Sequence, residues 1–281
     1  MAKRTIVIGT GFLGRAVVHA LRRSGSRPKH TFRQHRVFPD SIRFDLLKQT
    51  LPEVVSLSGV GTLIIAAKVE HICDSAGVVA AMQSLLRFCR DMRIVYLSSD
   101  AVFDGRKGMY LESDSRNPMT LYGRNKKACE DMLMAEAGDI CIVRPSYIYG
   151  YSGGQLDPRL ALARKALREG TPFGRYVDMY KSPIEVNQLA QVIVWASRSS
   201  FKGVLHVGGD RISVFDFVRK ALTGMGEDPT RLIPERIPSN APPELLADTS
   251  LDCSLLAQVF NEKPVRVEDA FPGCIRSMND S

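Results

Sequence analysis

Thr5-Ile6-Val7-Ile8-Gly9-Thr10-Gly11-Phe12-Leu13-Gly14 is the stretch on which the fold turns. Three apolar residues after Thr5 end abruptly at a glycine, the form of a strand buried on both faces. From Phe12 to Arg23 apolar residues return at helical spacing, with Leu13, Val17 and Leu21 on one face, so a helix follows the strand at once. A helix N-terminus presents free N–H groups and the positive end of the helix dipole, and both suit a phosphate. Gly9 permits the tight turn, Gly11 lets a phosphate approach the backbone, and Gly14 allows close packing of helix on strand. The G-x-G-x-x-G spacing is weak alone. With a strand before it and a helix after it, it reads as a dinucleotide cradle formed by Gly9, Thr10, Gly11, Phe12, Leu13 and Gly14.

The same rhythm repeats downstream. Lys29–Arg33 is a second strand and Thr62–Ala67 a buried strand, followed by a helix over Ser75–Cys89. Arg93–Leu97 is another strand, Asn125–Ala137 a helix, and Ile140–Val143 a further strand. Uninterrupted apolar strands alternating with helices predict an α/β, Rossmann-type, doubly wound parallel sheet. After Gly150 the rhythm changes to helix patterns at Pro158–Arg168, Val186–Ala196 and Ser213–Leu222, a β segment near Val204–Val207, and a Pro-rich stretch (Pro234, Pro238, Pro242, Pro243). Residues 1–150 with about 184–208 therefore read as an NAD(P)-binding domain, and 151–183 with 209–281 as a smaller substrate-binding lobe.

Composition narrows the class. The chain has 281 residues, 44% hydrophobic and 24% charged, which is ordinary for a soluble globular protein. That length can bury a core without a disulfide or metal staple. No run of ~18 apolar residues suggests a membrane span, and the N-terminal apolar run is too short for a signal peptide. The six cysteines form no C-x-x-C pair and no cluster with histidine, so neither zinc nor disulfides are expected, and a reduced cytoplasmic setting is. The net charge of +8 comes without an aromatic-interleaved basic patch. A polyanionic small molecule fits that charge as well as nucleic acid does, and neither a nucleic-acid nor a membrane partner is expected. The oligomeric state stays open, a homodimer included.

Which dinucleotide is bound depends on the end of the second strand. An NAD site usually places a carboxylate there for the ribose 2′-OH. Here the segment reads Thr31-Phe32-Arg33-Gln34-His35-Arg36. Arg33 and Arg36 could pair with a 2′-phosphate, or form a solvated basic turn; NADP is favoured over NAD. Asp45, with Leu46 beside it, could accept from the adenine amino group or cap the following helix. Ala66 and Ala67 end the buried strand on the cofactor side and Lys68 follows them, where it could touch a cofactor or substrate phosphate or be a surface lysine.

A second signal lies further along. Strand Ile94–Leu97 runs into Ser98-Ser99-Asp100, and Tyr122-Gly123-Arg124-Asn125-Lys126 follows. Four residues separate Tyr122 from Lys126, so on a helix they share a face. A phenol is a poor acid–base near neutrality unless an ammonium stabilises its anion, which Lys126 would do. The Ser99 hydroxyl would bond the reacting oxygen. Tyr and Lys at this spacing also occur on ordinary exposed helices.

Together, Gly9–Gly14, Ser98-Ser99-Asp100-Ala101-Val102-Phe103-Asp104-Gly105, Tyr122–Lys126 and Arg144-Pro145-Ser146-Tyr147-Ile148-Tyr149-Gly150 resemble the extended short-chain dehydrogenase/reductase superfamily acting on nucleotide sugars. Within it they resemble dTDP-4-dehydrorhamnose reductases most. Lys181-Ser182-Pro183-Ile184 and Gly203–Gly209 fall where that family carries related sequence. The resemblance implies Ser99, Tyr122 and Lys126 as a catalytic triad, with Tyr122 the proton donor, and Tyr122 and Lys126 are counted among the cofactor-binding residues as well. It implies Asp100, Ala101, Val102, Phe103 and Tyr147 as substrate-facing, with Lys181 counted beside them as a substrate-binding candidate, and an NADPH-dependent reductase of a 4-keto-6-deoxy nucleotide sugar. An NAD-recycling epimerase and a non-catalytic NADP-binding regulatory subunit, of the kind that serves methionine adenosyltransferase, are the other readings. The glycine loop is one residue tighter than that family's usual G-x-x-G-x-x-G. Arg159, Lys165, Arg168, Arg175 and Lys181 are candidates for the substrate diphosphate, and the sequence does not choose among them.

Overall fold

The computed structural model describes residues 4–68 and 74–271. Its first strands and helices are β1 (Arg4–Ile8), α1 (Phe12–Arg23), β2 (Lys29–Phe32), β3 (Ile42–Arg43), α2 (Leu51–Val54), β4 (Val60–Ile65), α3 (Ser75–Cys89), β5 (Arg93–Leu97), α4 (Leu121–Glu136) and β6 (Ile140–Pro145). Short strands follow: β7 (Ile148–Tyr149), β8 (Tyr151–Ser152) and β9 (Gln155–Leu156), then α5 (Pro158–Arg168), β10 (Phe173–Tyr176), β11 (Tyr180–Lys181) and β12 (Ile184–Glu185). The chain continues through α6 (Val186–Arg198), β13 (Gly203–Val207), β14 (Ile212–Ser213), α7 (Val214–Gly224), β15 (Leu232–Glu235) and α8 (Ser254–Val259).

The main sheet has seven strands in the order β13-β6-β5-β4-β1-β2-β3, and the pairings among β1 to β6 are all parallel. It is the α/β Rossmann-type sheet that the alternating pattern predicts. Parallel strands need helical crossovers, so both faces are covered, which is why these strands read as unbroken apolar runs. Ile6, Ile8, Leu63, Ile65, Ile94 and Tyr96 pack on one face with Val78, Met82 and Leu85 of α3 and Cys129 and Leu133 of α4. Val7, Ile64 and Val95, which alternate with them, are equally buried on the other face. Each such side chain contributes about 1.5–3 kcal/mol on leaving water. Strand order reverses between β1 and β4, and in open α/β sheets that reversal leaves the ligand crevice at the strands' C-terminal ends. Gly9 and Ala66-Ala67 sit at those ends.

Contacts divide the chain into two compact units. The first comprises the described residues of Met1–Phe103, Ser115–Arg144 and Ala190–Leu205; the second, those of Asp104–Asp114, Pro145–Leu189 and His206–Ser281. Within the first, the buried Arg93 donates to the carbonyls of Ala196 (3.1 and 2.8 Å) and Phe201 (2.5 Å), tying the start of β5 to the end of α6. Within the second, Tyr149, Leu160, Ala163, Phe217, Leu222, Leu232 and Phe271 form a separate core. Residues 104–114 cluster with the second unit, whereas the sequence reading put them in the first. Tyr110 bridges to Leu251, and the Asp248 N–H donates to the Gly105 carbonyl at 2.9 Å. No helix among the described residues is long and apolar enough to cross a membrane.

Candidate active site

The β1–α1 turn is built as the glycine spacing requires. Gly9 has φ +90°, and a Cβ there would lie 2.8 Å from the Ala67 Cα, so the β1 and β4 ends touch only because Gly9 has no side chain. A Cβ on Gly14 would fall 1.9 Å from the Gly9 carbonyl oxygen, well inside any contact distance. A Cβ on Gly11 would meet no protein atom within 4 Å. Gly11 caps α1 without a side-chain bond, and no acidic residue occupies the first turn. Open space in front of an uncapped helix N-terminus free of carboxylates suits a phosphate. The Thr10 hydroxyl donates to the Thr31 carbonyl, and the Gly9 N–H to the Thr31 hydroxyl, both at 3.1 Å, so the turn is anchored to the end of β2. Phe12 and Leu13 open α1 with their side chains half-buried.

At the far end of β2, Arg33 Nε lies 3.3 Å from Asp45 Oδ2, and the Arg36 guanidinium sits 5.2 Å from the Phe32 ring centre. Asp45 also accepts from the Leu47 N–H at 3.1 Å; Leu46 is buried. Lys68 is exposed, while Val69 and Glu70 after it lie outside the described residues.

The second cluster forms where α4 crosses the end of β5. The helix starts at Leu121, earlier than Asn125, because the Thr120 hydroxyl accepts from the Gly123 N–H at 3.0 Å and caps it. Tyr122 thereby falls in the first turn and Lys126 in the second. Lys126 is buried, donates to the Leu97 carbonyl at 2.5 Å, and lies 5.8 Å from the Tyr122 ring centre and 4.7 Å from that of Tyr96. Gly123 is needed for the approach, since a Cβ there would be 2.1 Å from the Ala101 carbonyl oxygen. Nearby, the Ser75 hydroxyl donates to the buried Asn125 side-chain oxygen at 2.6 Å.

The two adjacent serines do different things. Ser99 is half-buried, donates to Asp100 Oδ1 at 3.0 Å and accepts from the Ala101 N–H at 3.2 Å. Ser98 is buried and donates to Glu130. Asp100 is buried and Ala101 half-buried, while Val102 and Phe103 are 0% exposed. Val102 and Phe103, counted among the substrate-facing residues, thus present no surface; the Phe103 ring lies 5.4 Å from the Arg144 guanidinium.

Glu130, Ser98 and Arg144 were given no role in the sequence reading. Glu130 is fully buried, with Arg144 Nε 2.9 Å from Oε1 and Nη2 2.7 Å from Oε2. Arg116 Nη1 lies 2.9 Å from Oε2. Burial alone would raise the pKa of Glu130, but the hydrogen bonds and charge of Arg144, the Ser98 hydroxyl and the charge of Arg116 together hold it below the ordinary glutamate value. A signal was available: Arg144 breaks the apolar run Ile140-Cys141-Ile142-Val143, and Glu130 continues the Tyr122–Lys126 spacing by four.

In the second unit, Tyr147 stacks under Arg159 at 3.5 Å and donates to Asp157 at 3.4 Å; burial raises its pKa. Four of the five candidate cations have clear partners: Arg159 with Asp157 (2.9 Å), Lys165 with Glu169 (3.7 Å), Arg168 with Glu227 (2.6 Å), and Lys181 with the Thr249 hydroxyl (2.5 Å). Lys165 and Arg168 line a cavity of about 510 Å³ with Tyr151 and Leu156. Arg175 differs. Its guanidinium lies 3.8 Å from the Phe173 ring centre and donates to the Gly174 carbonyl at 2.8 Å. Among the described residues no carboxylate stands within ion-pair distance of it, and burial lowers its pKa.

Sheet order, glycine turn and the Tyr122–Lys126 helix face are those of an extended short-chain dehydrogenase/reductase. Within that class the chain belongs to the family described as RmlD substrate binding domain, whose model matches residues 3–279. It is similar to a dTDP-4-keto-6-deoxy-D-glucose reductase of Streptomyces niveus, 32% identical over 56% of this chain and 55% of that protein. It is also similar to methionine adenosyltransferase 2 subunit beta of Danio rerio, 23% identical over 90% of this chain and 84% of that protein. The first curated relatives it matches are spanned over only about half their length. The crystal structure of a dTDP-4-dehydrorhamnose reductase from Bacillus anthracis in complex with NADP shares the fold, with TM-score 0.76 and 19% identity over 99% of this chain and 100% of that one.

Proposed function

We propose that this protein is an NADPH-dependent reductase of a nucleoside-diphosphate 4-keto-6-deoxy sugar. The observation that carries the reading is α4, which sets the Tyr122 ring beside the buried Lys126 ammonium and bonds that ammonium to the last carbonyl of β5, two residues before Ser99. The relatives named for sugar-nucleotide reduction support the substrate class. Gly9, Thr10, Gly11, Phe12, Leu13 and Gly14 would hold the pyrophosphate of the dinucleotide, with Ala66, Ala67 and Lys68 beside them. When bound, the nicotinamide supplies the hydride. Tyr122 gives its phenolic proton to the oxygen of the ketone as that oxygen gains negative charge. The Lys126 ammonium favours the resulting phenolate, and the Ser99 hydroxyl donates to the same substrate oxygen.

Arg33 and Arg36 carry the NADP preference. A charge-assisted hydrogen bond to a 2′-phosphate is worth about 1.5–3 kcal/mol, or roughly 10- to 150-fold. Arg33→Ser is therefore expected to weaken NADPH binding by about tenfold or more and leave NADH binding within twofold, read by fluorescence titration. Equal losses for both coenzymes would reject Arg33 as the discriminating residue.

Among the candidate cations, Arg175 is the one we assign to the substrate diphosphate. A partly desolvated guanidinium that feels the charge of Glu235 but makes no ion pair with it gains more from an incoming anion than one already paired. Arg175→Ala is expected to raise the Kd for dTDP about tenfold by calorimetry, with Lys165→Ala unchanged; the reverse order would reject the assignment.

The test of the reading itself is loss of reduced-nicotinamide absorbance on mixing the protein, NADPH and enzymatically made dTDP-4-keto-6-deoxyhexose. No oxidation despite NADPH binding would reject this reading. The likeness to the methionine adenosyltransferase subunit favours one second reading, a regulatory NADP-binding subunit. A stable complex with a methionine adenosyltransferase, in a chain inert toward keto-sugars, would establish it.

A further inference from the structure

We infer that Ser98, Glu130 and Arg144 form a clamp that positions Tyr122 and Lys126 relative to Ser99. The inference rests on the reductase reading for its catalytic consequence, and its geometry lies wholly in the first unit. Tyr122, Lys126 and Glu130 follow one another by four along α4 and so form one stripe, with about 6 Å of helix rise per step.

Three contacts of this stripe and its flank meet the segment around Ser99 on both sides. Lys126 Nζ donates to the Leu97 carbonyl at 2.5 Å, Glu130 accepts from the Ser98 hydroxyl, and Gly123 abuts the Ala101 carbonyl. Arg144 closes the arrangement from the end of β6. Its two nitrogens grip the two Glu130 oxygens at 2.9 and 2.7 Å. Glu130 thus links α4, β5 and β6 through one carboxylate, immediately beside the residue that would bond the substrate oxygen.

Stability alone is a poor reason for such an arrangement. Desolvating a carboxylate and a guanidinium costs several kcal/mol each, and well-packed apolar residues of the same volume often do as well or better. A buried bidentate pair with a third hydrogen bond has only one favourable geometry, and geometry is what reacting groups need. A displacement of 1 Å can cost about 100-fold in rate.

Ser98→Ala tests the clamp with little danger to folding, because the Glu130–Arg144 pair remains. The expected result is a kcat about tenfold lower, with KM for NADPH and keto-sugar within twofold, and recovery in Ser98→Thr, which restores the hydroxyl. The double variant Glu130→Met with Arg144→Met should fold and also show the low kcat. A second readout needs no substrate. In protein carrying 13C-tyrosine, with Tyr122 assigned by its absence in Tyr122→Phe, the phenol of Ser98→Ala should titrate higher than that of wild type by about half a pH unit or more. An unchanged Tyr122 titration in Ser98→Ala would overturn the clamp, as would an unchanged kcat. A wild type that never oxidises NADPH would instead count against the reductase reading, while the titration still reports on the clamp.

Discussion

Tyr122→Phe is expected to lower kcat for keto-sugar reduction by about 10²–10⁴-fold, while NADPH still binds with wild-type affinity. The range is that of a positioned general acid. The substitution removes only the hydroxyl. The ring, which lies 5.8 Å from Lys126 Nζ, and the Thr120 cap of α4 stay as they are. A fall in coenzyme affinity as large as the fall in kcat would show that Tyr122 holds the coenzyme rather than moving a proton. Stopped-flow loss of nicotinamide absorbance, paired with an equilibrium titration, separates the two outcomes.

The second large effect concerns stability. Arg144→Leu leaves Glu130 buried with Arg116 and Ser98 as its remaining partners. Removing one member of a buried pair costs about 3–5 kcal/mol; with Arg116 still in place the lower end is expected. For a chain of this size that is a fall in Tm of roughly 6–12 °C by scanning calorimetry. The double variant Glu130→Met with Arg144→Met should regain most of it.

Acid dependence follows from the direction of the Glu130 shift. Its pKa is depressed in the folded protein, so its contribution is complete above the ordinary glutamate value and is lost as pH falls through the lower folded value. The double variant lacks that limb and should lose stability less steeply on acidification. An acid limb as steep in the double variant as in wild type would show that Glu130 is not the group responsible.

Much of the fold was legible because its signals are local. The strand-to-glycine break after Ile8, the helical spacing from Phe12, and the unbroken apolar runs around Ile64, Val95 and Ile142 are each readable within a dozen residues. The two-residue edge strand β3 was not, since Ile42-Arg43 holds only one apolar position. The start of α4 was missed because its cap lies in a polar stretch, where Thr120 has to be recognised by the Gly123 N–H it accepts.

For the site, spacing put Tyr122 and Lys126 on one face, but it could not show what holds that face in place. Glu130 and Arg144 are 14 residues apart and meet only through the packing of α4 on the sheet. Likewise Arg175 could not be told from Lys165 or Arg168 until each cation's carboxylate was seen.

The contact between Arg33 and Asp45 bears on how the coenzyme arrives. Arg33 already has an anionic neighbour, 3.3 Å away. A 2′-phosphate recruiting Arg33 would exchange one counter-charge for another rather than claim an idle cation. Part of its electrostatic gain is then returned when Asp45 is released. Discrimination between the two coenzymes would be milder than two arginines suggest, and less sensitive to ionic strength. Converting Asp45 to Asn would sharpen it, by leaving the guanidinium with no rival to displace.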